Sequence, residues 1–125
     1  MQYVAISNGT RPLKKPLTAG YCSSFFCRLR GLTFRSSLPV EYGLMLVENT
    51  DSRMQTAIHM LFVFMDLGII WINQAGEVVD VQLAKPWISF IIPARAAMYV
   101  LEVSPQRMKE FQIGDQINFE ETLLP

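Results

Sequence analysis

Two apolar periods run through this chain. In its first part Cys22, Phe25, Phe26 and Leu29 fall at i, i+3, i+4 and i+7, one apolar face of a helix. Ser23, Ser24, Arg28 and Arg30 occupy the other positions, and Gly31 stands where a helix C-terminal cap is expected. Beyond Pro39 the period shortens to two and the runs become β-branched and aromatic. Strands are predicted over residues 2–7, 43–47, 58–64, 69–73, 77–83, 87–92, 99–103 and 116–120. In 77–83 the residues Val79, Val81 and Leu83 should share one face, and in 99–103 so should Tyr99, Leu101 and Val103. Asn8-Gly9, residues 65–68, Gln74-Ala75-Gly76 and Gly114-Asp115 supply turns. Ser104-Pro105 opens a second short helix toward Phe111.

Short strands at regular spacing imply a mainly β fold with a minor α part. The expectation is an antiparallel β sandwich or partly closed barrel with one or two short helices. Residues 1–125 read as a single domain, in which 1–19 form an N-terminal strand and a Pro-rich basic arm. Composition agrees, since 50% of residues are apolar and 18% charged, as in a globular domain. Residues 57–72 are the most membrane-like run, but His59, Asp66 and Gly68 interrupt it, so a soluble protein without a membrane span is expected. The two cysteines, Cys22 and Cys27, make no disulfide framework, and free thiols in a reducing cytoplasm are the expectation.

Charge changes the picture more than composition does. The formal net charge is zero, yet the first forty residues hold Arg11, Lys14, Lys15, Arg28, Arg30 and Arg35 and no acid before Glu41. A basic front could bind an anion or nucleic acid, with Phe25, Phe26 and Phe34 as stacking surfaces. The alternative is that the basic part packs on the acidic remainder and the two cancel. Neutral balance disfavours nucleic acid, whereas two or three arginines suffice for a small anion.

The stretch Arg30-Gly31-Leu32, followed by Arg35, Leu38 and Gly43-Leu44-Met45-Leu46, resembles domain-of-unknown-function family 192. So do the blocks Thr56-Ala57-Ile58-His59-Met60, Gly76-Glu77-Val78-Val79, Tyr99-Val100-Leu101-Glu102 and Gly114-Asp115, in that order over about residues 20–120. The resemblance implies a compact, mostly antiparallel β domain with a small helical part and no established biochemical role. One departure stands out. Where the Ile-His subgroup carries a Pro-hydrophobic-Asp triplet, this chain has Asp66-Leu67-Gly68.

Candidate chemistry is sparse. There is no Gly-x-Ser-x-Gly elbow, phosphate-binding glycine loop or Cys-x-x-Cys pair. A zinc site on Cys22, Cys27 and His59 lacks a second cysteine pair, so no metal or cofactor is expected. The lone histidine, His59, is either a structural hydrogen-bonding residue or an acid–base group. Trp71 and Trp87 are either core or the walls of an apolar pocket. The leading expectation is a non-enzymatic small-ligand-binding or accessory domain, whose candidate site gathers Arg30, Arg35 and His59, with Asp115 nearby. Two alternatives stand beside it. One is an enzyme acting on a small anionic substrate with His59 as acid or base. The other is an interaction module whose arm, residues 11–15, docks on an acidic protein partner.

Overall fold

A computed structural model describes residues 2–33, 35–87 and 90–123, with backbone alone for Phe25, Phe26 and Leu29. The strands are β1 (Gln2–Asn8), β2 (Leu17–Cys22), β3 (Tyr42–Ser52), β4 (Leu67–Ile72), β5 (Val78–Ala84), β6 (Ala97–Val103) and β7 (Ile117–Thr122). Two short helices accompany them, α1 (Phe25–Arg30) and α2 (Pro105–Met108). All seven strands belong to one sheet in the order β5-β4-β6-β3-β2-β1-β7. Neighbours are antiparallel except β2 and β3, which run parallel because the chain crosses over through α1 between them.

The sheet is rolled. Ile6, Leu17, Met45, Ile70, Val78, Leu101 and Ile117, one from each strand, belong to a single buried apolar cluster. The two outer strands approach each other where Glu77 bridges Gln116. There the Val78 N–H donates to the Asp115 carbonyl at 2.9 Å and the Ile117 N–H to the Gly76 carbonyl at 2.8 Å. That seam is too short to be a ladder, so the molecule is a partly closed roll and not a closed barrel. A second apolar layer covers the other face of the central strands. Leu44, Leu46, Ile69 and Val100 pack there against Leu32, Ile58 and Met60 from the connections. Trp71 is wholly buried in this layer, and its indole N–H donates to the Thr56 carbonyl at 2.8 Å, pinning the 53–60 connection.

Several expectations change. Residues 58–64 form no strand: Ile58, Met60 and Val63 are buried, a spacing that abandons the period of two, and Phe62 turns the backbone to φ 60°. The predicted 87–92 strand reduces to a bridge between Ile58 and Ile91, with Ile88 and Ser89 outside the described residues. Trp87 is exposed and packs edge-on against Phe62, with ring centroids 5.2 Å apart. Leu17–Cys22, read as part of the arm and the helix start, is a strand (β2). In β5 a register shift opposite Trp71 and Ile72 breaks the alternation. Val79 therefore joins the outer layer and Val81 packs on the inner cluster.

The helical pattern does produce α1. The Ser24 hydroxyl caps its first turn by accepting the Cys27 N–H, and the Gly31 N–H closes its last turn on the Cys27 carbonyl at 2.9 Å. The apolar face proposed for this helix falls partly outside the described residues, because the side chains of Phe25, Phe26 and Leu29 and the whole of Phe34 are among those left undescribed. Cys22 is not helical. It ends β2, its Cα lies 5.5 Å from that of Cys27, and the two form a disulfide. This overturns the expectation of free thiols and leaves no thiolate for the zinc set considered with His59.

Candidate functional site

A cavity of about 70 Å³ lies between the end of α1 and residues 55–60, above β3 and β6. Its walls include Leu46, Ile58, Met60 and Val100. Two cations reach it, Arg28 and Arg30 from α1, together with the imidazole of His59 from the connection that Trp71 pins. Arg28 is spoken for, since its Nε lies 2.7 Å from Glu48 Oε2 and the same guanidinium donates to the Val47 carbonyl. Arg30 and His59 are exposed at the mouth, and no ion pair among the described residues engages either.

Glu102 completes the site. It sits in β6 at the middle of the sheet, paired across to Leu44 on β3 and Ile69 on β4, and is 4% exposed. Its Oε1 has no hydrogen-bond partner. Gly31 lies directly over it, where a Cβ would stand 3.9 Å from that oxygen. Burial without a compensating partner raises the carboxyl's pKa to about 7. A buried polar atom left unpaired ordinarily costs free energy, so it calls for a reason.

Of the four candidate residues, Arg30 and His59 therefore share one cavity. Arg30 also lines a larger hollow of about 610 Å³ on the other side of the 30–33 segment, and Arg35 lies there with Tyr42 and Leu44. Arg35 and His59 share neither hollow. Asp115 is elsewhere, buried beside the seam of the roll. It accepts from Asn8 Nδ2 at 2.8 Å, from the Gln112 N–H at 2.9 Å and from Arg11 Nε at 3.0 Å. Burial works to raise its pKa, but these hydrogen bonds and the Arg11 charge outweigh that and hold it below the usual carboxylate value. The basic arm forms part of a third hollow, where Lys14 and Lys15 face Lys109 and Glu110.

Of the front cations, Arg11 and Arg28 are ion-paired with Asp115 and Glu48. The expected cancellation between basic and acidic parts is thus partial among the described residues. Asp66 forms an exposed pair with Lys85 at 2.9 Å. Gly68 leaves no room for the subgroup's acid, because a Cβ there would stand 2.9 Å from Met108 Cβ.

Glu102, Arg28 and Glu48 were not singled out from the sequence. The signal for Glu102 was present: it is the one charge inside the otherwise apolar strand 97–103, at a position that alternates to the same face as Val100. The signature blocks also sort in space. Arg30-Gly31-Leu32, Ile58-His59-Met60 and Glu102 meet at the cavity, whereas Gly76 and Asp115 meet at the seam.

Among the described residues no helix is long and apolar enough to cross a membrane. Two solved structures share the fold. A protein from Sinorhizobium meliloti 1021, provisionally described as a transcription regulator, superposes with a TM-score of 0.81 at 18% identity, covering 94% of this chain and 92% of the other. A protein of unknown function from Novosphingobium aromaticivorans gives 0.77 at 18% identity, with 93% and 83% covered. Sequence relatives are UPF0127 proteins of unassigned function. One from Thermococcus sibiricus is 33% identical over 78% of this chain, which spans 62% of that relative's length. One from Pyrococcus furiosus is 30% identical over 90% of this chain and 95% of its own. The family model described as "Uncharacterized ACR" matches residues 5–119, and the chain belongs to that family, DUF192.

Proposed function

We propose that the chain is a non-enzymatic binding domain for a small ligand with an anionic group, held in the cavity beneath the end of α1. The observation that carries this reading is the meeting there of Arg30 and His59, two cationic or protonatable side chains at one mouth, without ion-pair partners among the described residues. Each can donate hydrogen bonds to a carboxylate or phosphate oxygen, and a guanidinium does so with two parallel N–H groups. Arg35, in the adjoining hollow, adds field rather than contact, and Asp115 serves the fold as the anchor of Asn8 and Arg11. Acid–base catalysis by His59 has less support, because no hydrogen bond among the described residues orients the imidazole toward a reacting group. The Cys22–Cys27 disulfide fits an oxidising compartment better than the cytoplasm expected from cysteine count.

Thermal unfolding in a panel of small carboxylates and phosphates tests the reading. A ligand at 100 times its Kd stabilises by about 2.7 kcal/mol, well within measurement. The shift should disappear in Arg30→Ala. A panel that leaves the midpoint unmoved, or a shift that survives Arg30→Ala, overturns the site.

A further inference from the structure

We propose that the ligand is a small amino acid, its ammonium group on Glu102 at the floor of the cavity and its carboxylate at Arg30 and His59. The inference rests on the binding site just described and names the chemistry of its occupant. Arg28 and Glu48 neutralise each other at the wall. What remains is one acid inside and one permanent cation at the mouth, neither matched among the described residues. The protein keeps them apart: Glu102 is held in β6 between β3 and β4, while Arg30 is exposed at the end of α1. A ligand that satisfies both ends must itself be bipolar. With Glu102 ionised, a plain anion would leave its oxygen unpaired, and a plain amine would leave the arginine unmatched.

Size narrows the class. One water-sized site takes roughly 10–15 Å³ of such volume. The 70 Å³ cavity therefore accommodates about five to seven heavy atoms, the size of glycine or alanine. Within its lining Leu46, Ile58, Met60 and Val100 tolerate a short aliphatic group.

Binding should also depend on pH. Glu102 is half-protonated near pH 7 in the free protein, and an ammonium group requires the carboxylate. Affinity should then rise as pH is raised from 6 to 8, with a proton released on binding. The other charged groups lining the cavity are Arg28 and Arg30 on α1, Glu48 on β3 and His59 on the 55–60 connection.

The test is calorimetric titration and thermal unfolding of the intact chain with glycine, alanine and β-alanine, and with glycolate and lactate, which replace the ammonium by hydroxyl. At least one amino acid should bind, roughly tenfold or more tighter than its hydroxy acid. In Glu102→Gln that preference and the rise with pH should vanish. Equal binding of glycolate and glycine overturns the ammonium assignment while leaving the anion site standing. Absence of any shift with all five compounds, alongside binding of some other carboxylate or phosphate, overturns the amino-acid assignment alone. No binding by any anion removes both. Should Glu102→Gln fail to fold, the pH profile of the wild-type protein decides: affinity that falls from pH 6 to 8 overturns the proposal.

Discussion

Glu102 leaves a mark on stability apart from any ligand. Its carboxyl titrates near 4.5 in the unfolded chain and at about 7 in the folded one. Between those values the unfolded chain has given up a proton that the folded protein keeps, so stability falls as pH rises across that window and levels off above it. The difference corresponds to about 3 kcal/mol. Urea unfolding of wild type and Glu102→Gln from pH 4 to 8 should give curves that diverge across this window, with the variant flat; parallel curves would show that Glu102 titrates normally. Asp115 has the reverse sign. Its lowered pKa contributes stability above the unfolded value of 3.8, and that stability is lost as pH falls through the folded value. Asp115→Ala removes the acceptor shared by Asn8, Arg11 and Gln112 and should cost about 2 kcal/mol at pH 7, measured by the urea midpoint. Gly31 has φ 50° and ψ −129°, a positive-φ conformation that a residue with a Cβ rarely adopts, so Gly31→Ala should cost about 1–3 kcal/mol although its surroundings leave space.

At the scale of elements, α1 is a six-residue helix, too short to persist without tertiary support. The disulfide to Cys22 joins it to the end of β2 and to the buried outer layer. Opening this short loop should cost about 2 kcal/mol by the chain-entropy estimate. Because α1 carries Arg30 and Gly31, a reductant such as dithiothreitol should also weaken ligand binding; unchanged affinity in the reduced protein would show that β3 and the Arg28–Glu48 pair hold the helix unaided. Element by element, legibility in the sequence followed burial. The strands that alternate, 2–8 and 117–122, were readable because one side meets the core and the other does not, whereas 97–103, buried on both faces, was readable from its apolar run. The 58–64 run misled because apolar residues there close the outer layer from an irregular connection, and composition alone cannot distinguish that from a strand. β2 was hidden by Ala19 and Gly20, weak strand formers placed in register by β1 and β3. Arg30 and His59 were legible as chemistry-bearing residues within recognisable blocks. Glu102 was quoted only as part of such a block, since its isolation depends on β3 and β4 lying on either side of it.

For the whole molecule, Arg107 ties three separate segments together. It is 4% exposed, and its guanidinium donates to the carbonyls of Lys15, Pro16 and Val40 while its Nε meets Glu110. One side chain thus joins the basic arm, the turn before β3 and the end of α2. Arg107→Met would leave Glu110 and three carbonyls without this donor. The expected loss is about 3 kcal/mol, read from the denaturation midpoint, with the arm becoming more accessible to protease. A loss below about 0.5 kcal/mol, the range of ordinary surface changes, would mean water replaces the guanidinium freely.

The pairing of β1 with β7, with Tyr3 opposite Thr122, sets the order in which the roll can be completed. These partners are separated by nearly the whole chain, so their contact closes the longest loop in the molecule and belongs late in folding. As the protein emerges from the ribosome, β1 can pair with β2 early, but its other side stays an open edge until residues 117–122 appear. That edge carries Val4 and Ile6, both buried in the finished fold. During this interval the nascent chain presents a template for edge-to-edge association with its neighbours.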